Sequence, residues 1–238
     1  STIVGGLSNI AATSNSFVGG GKQNRAVTNA AITIAGGNEN CSYGACAFIG
    51  GGDTNQSLNT GTVVAGGGFN KANGVYGTVV AGLSNTVAGG QGYDIIGGGQ
   101  SNLINSCYNY NSILGGCGNT MSQYATGAFI GGGEDNVANC VNSVVVAGCG
   151  LSATQAWSVV VGGINNSACQ CFGVVVGGCD NHIDGQNSNE QSSFIGGGAG
   201  VASFDLFGTH QGSADVNPAG FYDAINSGNT QGLNTGNA

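Results

Sequence analysis

One phrase recurs along this chain: apolar residues, a Gly pair, two further residues, then Asn. Counted to its last residue it falls at Asn9, Asn24, Asn40, Asn55, Asn70, Asn85, Asn102, Asn119, Asn136, Leu151, Asn166, Asn181 and Val201, with Leu and Val replacing Asn twice. That makes thirteen repeats at spacings of 15 to 17 residues, the last spacing being 20. A fixed period this short constrains the fold more than any other feature. Each repeat is too small to bury its own apolar side and must stack on its neighbours.

Positions are counted from the phrase-ending residue. Position −6 is always Ile or Val: Ile3, Val18, Ile34, Ile49, Val64, Val79, Ile96, Ile113, Ile130, Val145, Val160, Val175 and Ile195. Position −4 is Gly, or Ala at Ala81 and Ala147. Position +2 is small or apolar, from Ala11, Ala26 and Ser42 through Ile183 and Ser203. These offsets share parity, and alternate side chains of a strand share a face. One short strand therefore points its β-branched residue inward with the −4 Gly behind it, and a second strand points the small residue inward. Gly this dense argues against helix. The expected fold is all-β, a β-solenoid of about thirteen coils spanning residues 1–208, with 209–238 as a non-repeat C-terminal cap or docking tail.

The Asn column (Asn9, Asn24, Asn40, Asn55, Asn70, Asn85, Asn102, Asn119, Asn136, Asn166, Asn181) reads as a ladder. Asn tolerates left-handed backbone and bonds local main chain, and stacked amides can bond one another. The Gly column has two readings, a close approach of the opposite wall or a turn needing positive φ. Outside the inward columns, Val4, Phe17, Phe48, Val63, Phe129, Val159, Val174 and Phe194 form outward apolar columns. Such a column marks an interface, or else a second core column created by a bulge at the Gly pair.

Composition supports a repeat structure and excludes several functions. Gly is 49 of 238 residues, against roughly 7% in ordinary proteins. Lys and Arg number three, Lys22, Arg25 and Lys71, and the net charge is −8. A nucleic-acid groove cannot be built from so few cations, and anionic membrane surfaces are disfavoured for the same reason. Hydrophobic residues are 40% of the chain, more than disordered segments carry. No apolar run reaches the length of a membrane span. The chain starts at Ser1, which reads as a processed chain or a segment of a longer one.

No constellation of catalytic residues stands out, so no enzyme activity, cofactor or metal is assigned. The nine cysteines include Cys117, Cys149 and Cys179 at position −2, in alternate coils about 10 Å apart by sheet spacing, too far to pair. They are expected to serve mainly as small buried residues, with Cys41 and Cys46 able to bridge a loop. Cys169-x-Cys171 lacks a His at zinc spacing. Asp53, Glu134, Asp135 and Asp180 follow glycines only sporadically and read as solubilising surface. His182 sits on an outward face and His210 in the tail.

Aromatics recur five or six residues after the phrase-ending residue, the anchor of each coil: Tyr76, Tyr108, Tyr124, Trp157, Phe172 and Phe207. They are a candidate contact surface for a sugar or receptor, together with Tyr110 in the longer coil 100–111; packing on a neighbouring coil or protomer is the alternative. The insertions at 100–111 and 181–191 are candidate contact loops.

The phrases SFVGGGKQN (16–24), AFIGGGEDN (128–136) and SVVVGGINNSACQCFG (158–173) resemble the S-x-I-x-G-G-x-x-N-x-A-x-G-x-Y repeat of YadA-like head domains. Those occur in trimeric autotransporter adhesins and in related phage and virus fibre proteins. The resemblance covers residues 1–208 and implies a left-handed β-roll assembled as a homotrimer. The doubled and tripled Gly and the longer period lean towards the virus and phage branch. The expected function is a structural fibre or spike module, extracellular or on a virion surface, acting as rigid spacer and attachment surface. Its partners would be further copies of itself, a cell-surface glycan or receptor, and neighbouring fibre proteins. The rivals are an ice-binding solenoid and a self-assembling extracellular filament. The mixed column Ser1, Ser16, Ile32, Ala47, Thr62, Gly77 and Asp94 counts against the regular array of the first.

Overall fold

The computed structural model describes residues 1–89, 92–185, 193–206, 209–210 and 224–226, with side chains up to Asp184 and again from Ser193 to Val201. The chain is a parallel β-solenoid of about twelve turns, and no helix occurs among the described residues. Nothing there is a helix long and apolar enough to cross a membrane.

Two compact units divide the chain, 1–127 and 128–238. In the first, each coil contributes one two-residue strand to each of two parallel sheets. The Ile/Val sheet runs Thr2–Ile3, Phe17–Val18, Thr33–Ile34, Phe48–Ile49, Val63–Val64, Thr78–Val79, Ile95–Ile96 and Ser112–Ile113. The small-residue sheet runs from Ile10–Ala11 to Thr120–Met121. Register is strict, so that Ile34 pairs with Ile49 and Ile49 with Val64. Single-residue bridges at position −2 add a third ladder, from Leu7↔Lys22 to Gln100↔Cys117, which the two-strand reading did not include.

The second unit repeats this plan. Its Ile/Val sheet holds Phe129–Ile130, Val144–Val145, Val159–Val160, Val174–Val175 and Ser193–Ile195, the last pairing antiparallel with Ala224–Asn226. Its other sheet runs from Val137–Ala138 to Ala202–Leu206, which pairs antiparallel with Thr209–His210. The rest of the sequence-defined tail, and Phe207, lie outside the described residues.

The strands are short because each coil turns three corners. Position −1 is left-handed, as at Gln23 (φ 56°) and Thr54 (φ 55°), and so is position −9, as at Ala31 (φ 59°) and Tyr76 (φ 54°). Left-handed backbone costs an L-residue about 1–2 kcal/mol. Coil-to-coil backbone hydrogen bonds such as Val4 N–H to Val18 O (3.1 Å) offset that cost at every turn.

The third corner needs Gly, and it lies at position −3, not −4. Gly67 has φ 86°, and a Cβ there would stand 2.2 Å from the carbonyl oxygen of Gly82 in the next coil. Gly66, at position −4, has nothing within 4 Å of such a carbon. The expected inward Gly column is therefore open space, which is why Ala81 and Ala147 are accommodated in it. The contact that demands Gly comes from the next coil's backbone, not from an opposite wall.

The core of each coil holds the −6 Ile or Val, the +2 residue, the phrase-ending Asn and the −8 residue. From Val18 to Val175 every −6 side chain is fully buried, and Ile195 nearly so. Ile3, in the first described coil, is 45% exposed, with a described neighbour on one side only. The −8 column, with Ser16, Ile32, Ala47, Thr62 and Asp94 all buried, is interior and cannot form a surface array of any kind.

Candidate interaction surface

The Asn side chains bind coil to coil. Asn70 Nδ2 donates to its own coil's Gly66 O (2.9 Å) and to Gly82 O of the next coil (2.8 Å), while its Oδ1 accepts the N–H of Asn85 (3.0 Å). The same set recurs at Asn24, Asn40, Asn55, Asn85 and Asn102, and in the second unit at Asn166 and Asn181. Asn9, in the first coil, donates to Gly5 O and Gly21 O and accepts from Asn24 N–H. Asn119 donates to Gly115 O. Asn136 donates to Gly132 O and Gly148 O and accepts from Leu151 N–H. From Asn24 to Asn181 these residues are fully buried, so the column belongs to the scaffold and is closed to a ligand.

The surface that stands out is the outer face of the Ile/Val sheet. In the first unit, Phe17 is followed two residues on by Gly19 and Phe48 by Gly50; in the second, Phe129 by Gly131 and Phe194 by Gly196. In all four the ring lies across that glycine, its Cε1 3.3–3.4 Å from where a Cβ would stand. In several coils a smaller side chain at position −7 is accompanied by a larger one than Gly at position −5: Thr78 with Val80 and Ser112 with Leu114 in the first unit, Val144 with Val146, Val159 with Val161 and Val174 with Val176 in the second; Thr33 with Ala35 and Val63 with Ala65 depart from this. In those coils bulk lost at one position is returned at the other, which keeps that part of the face level. Phe48 is 39% exposed and Leu114 57%. These side chains form no second core; they point to solvent.

The aromatic residues form a separate stripe at the left-handed −9 corner. Tyr76, Tyr93 and Tyr110 stack in successive coils, centroids 5.2 and 5.6 Å apart and planes within 12° and 10° of parallel. In the second unit Trp157 stacks on Phe172 at 6.4 Å and 9°. Tyr108 and Tyr124, expected in the same stripe, are exposed but outside these stacks. Counting forward from each anchor aligned Tyr108 with Tyr76. The extra residues of the 17-residue coils fall before position −9, so counting back from the next anchor aligns Tyr110 instead and brings in Tyr93, which the forward count missed. The facing sides of the three rings cover one another, while their edges and hydroxyls are open. The three rings therefore pack on neighbouring coils, the alternative expected for these residues.

All nine cysteines are free and none is buried; Cys46, Cys107, Cys117 and Cys149 are exposed. The expected role as small core residues does not hold, because position −2 lies on the outer bridge ladder, where Cys149 and Cys179 each flank Ile164. Cys179 donates to the Asp180 carboxylate at 3.0 Å. That bond pushes the thiol pKa up and holds the Asp180 carboxyl below its usual range. Hydrogen bonding to Cys41 likewise raises the Tyr43 phenol. No group of three or more His, Cys, Asp or Glu able to hold a metal occurs among the described residues. Of the two candidate contact loops, residues 100–111 project Tyr108 and Tyr110, 51% and 63% exposed; residues 186–191 of the other lie outside the described residues.

Asp94 is the second residue the sequence reading missed as a site. It is 1% exposed in a 17-residue coil. Its Oδ1 accepts the N–H and Nδ2 of Asn111 at 2.9 and 3.0 Å, and its Oδ2 has no partner. Burial pushes its carboxyl up to about 6, against the lowering effect of the Asn111 bonds.

No known family model matches this chain, and no curated protein matches it in sequence.

Proposed function

We propose that the chain is a structural fibre or spike module, displayed outside a cell or on a virion, whose copies associate through the outer face of the Ile/Val sheet. The observation that carries this reading is the paired compensation of positions −7 and −5. A free surface has no reason to trade Phe-Gly for Val-Val; a surface that must meet another flat surface does. Soluble monomers rarely expose contiguous apolar patches of more than a few hundred Å², and a level β face buries well against a second one. The resemblance to YadA-like heads supplies the finer reading: a left-handed roll, three chains side by side, and an attachment role presented in three copies. Stiffness would come from the buried Asn ladder and continuous backbone bonding. The three cations leave few trypsin sites, which suits exposure.

Light scattering on the purified chain tests it. A mass three times 23.1 kDa is expected, falling to the monomer when Val80 or Val161 becomes Glu with the β-type circular dichroism unchanged. A monomeric parent chain overturns the assembly. Binding of the trimer to cells or arrayed glycans then tests attachment separately.

A further inference from the structure

We infer that Tyr76, Tyr93 and Tyr110 are a built-in site of oxidative cross-linking, at which neighbouring coils are stapled by dityrosine. The reaction needs two phenols held side by side with open edges. Three tyrosines stand in successive coils at 5.2 and 5.6 Å, nearly parallel. They are 47%, 54% and 63% exposed, so their edges meet solvent although their facing sides are stacked. Their backbone is left-handed at all three positions (φ 54°, 63° and 68°), which aims the rings out of one corner in register. Glycines close the column: Gly61 precedes Tyr76 and Gly127 follows Tyr110, both also left-handed. The Tyr76 ring leans over Gly61, where a Cβ would meet its Cδ1 at 2.3 Å. Among the described residues no other tyrosines are in ring contact.

The oxidant is a peroxide acting through a peroxidase. Each of two phenols gives up one electron and its hydroxyl proton. The two phenoxyl radicals join through the ring carbons ortho to oxygen, and the hydrogens on those carbons move to the oxygens, restoring both phenols. The peroxide takes up two electrons and two protons and leaves as two waters. Tyr93 touches both neighbours, so it can pair with either but not with both through one carbon.

The test treats the folded chain with peroxidase and hydrogen peroxide and reads dityrosine fluorescence, with peptide mapping of a mixture of 14N- and 15N-labelled chains. The expected result is a yield independent of protein concentration, with links mapping to Tyr76–Tyr93 and Tyr93–Tyr110 within single chains. Tyr93→Phe keeps the stacked ring and the fold but removes both pairs, so most of the fluorescence should be lost, since the proximity that favours coupling goes with them. Tyr124→Phe should leave it unchanged. The proposal is overturned if Tyr93→Phe fluoresces like the parent, if links map to Tyr108 or Tyr124, if linked peptides carry both isotopes, or if none forms.

Discussion

The side-chain oxygen of Asn85 accepts two hydrogen bonds from Asn102 in the next coil, one from its backbone N–H at 3.0 Å and one from its amide at 3.1 Å. Asn85 also donates to Ala81 O and Gly99 O at 3.1 and 2.9 Å. A fully buried amide thus bonds main-chain groups in two coils, its own and the next, and the N–H of Asn102 it satisfies is itself buried. Leaving a buried polar group unpaired costs about 1–3 kcal/mol.

Asn85→Ala removes the partner of one N–H and weakens the bonding of two carbonyls. The expected loss is about 2–4 kcal/mol, read as a lower urea midpoint with unchanged slope. Asn85→Asp is a harsher test, since it adds a charge beside two carbonyls. If either variant unfolds like the parent, the ladder contributes register and not stability.

The neighbouring glycines predict opposite outcomes for the same change. Gly67→Ala places a carbon 2.2 Å from Gly82 O at φ 86° and should cost several kcal/mol, in the range of the most damaging substitutions. Gly66→Ala enters open space and should fall within about 1 kcal/mol of the parent. Thermal melting of the two variants side by side decides it; equal effects would contradict the corner geometry.

These glycines also mark where the sequence stopped being legible. Period, strand positions and the −6 column follow from parity, because β-branched residues recur where a strand must face the core. The Gly pair hides which member is constrained, since the deciding contact is with another coil's backbone. The thiols looked buried because Cys is small and apolar, yet position −2 has solvent on its outer side. Tyr93 was missed, and Tyr108 stood in the row beside Tyr76, because an insertion's location within a coil cannot be read from the coil's length.

Asp94 makes stability depend on pH. Its folded carboxyl titrates at about 6 against an ordinary 3.8, so between those values the folded state holds more protons than the unfolded chain. Stability contributed by the neutral carboxyl is fully present below pH 3.8 and is lost as pH rises to about 6. A shift of this size corresponds to about 3 kcal/mol. Asp94→Asn keeps the shape, and Asn already fills the stacked position at Asn111. The variant should gain about 1–3 kcal/mol over the parent at pH 7.5 and little at pH 4, measured as the difference between their urea midpoints. An equal difference at both pH values would show that Asp94 ionises normally.

Leu151 interrupts the ladder, and the interruption can be repaired. Asn136 Oδ1 still accepts the Leu151 N–H at 2.9 Å, but Leu151 has no oxygen to offer Asn166 and no amide for Ala147 or Gly163. The coil has adjusted: Gly148 has φ 158°, against 92° at Gly133 and 93° at Gly163, and a Cβ on it would meet the Leu151 side chain at 2.6 Å. Leu151→Asn gives up about 1.5–3 kcal/mol of apolar burial. It gains a bond to the N–H of the buried Asn166, worth about 1–3 kcal/mol where that group was otherwise unpaired, and weaker bonds to the carbonyls of the exposed Ala147 and Gly163, the latter already accepting Cys149 N–H at 3.1 Å. The gains roughly match or slightly exceed the lost burial, and a stabilisation of at most about 1 kcal/mol is expected, visible as a slightly raised melting temperature. A lowered one would mean that Gly148 cannot return to the conformation its counterparts hold, and that the coil is built around leucine.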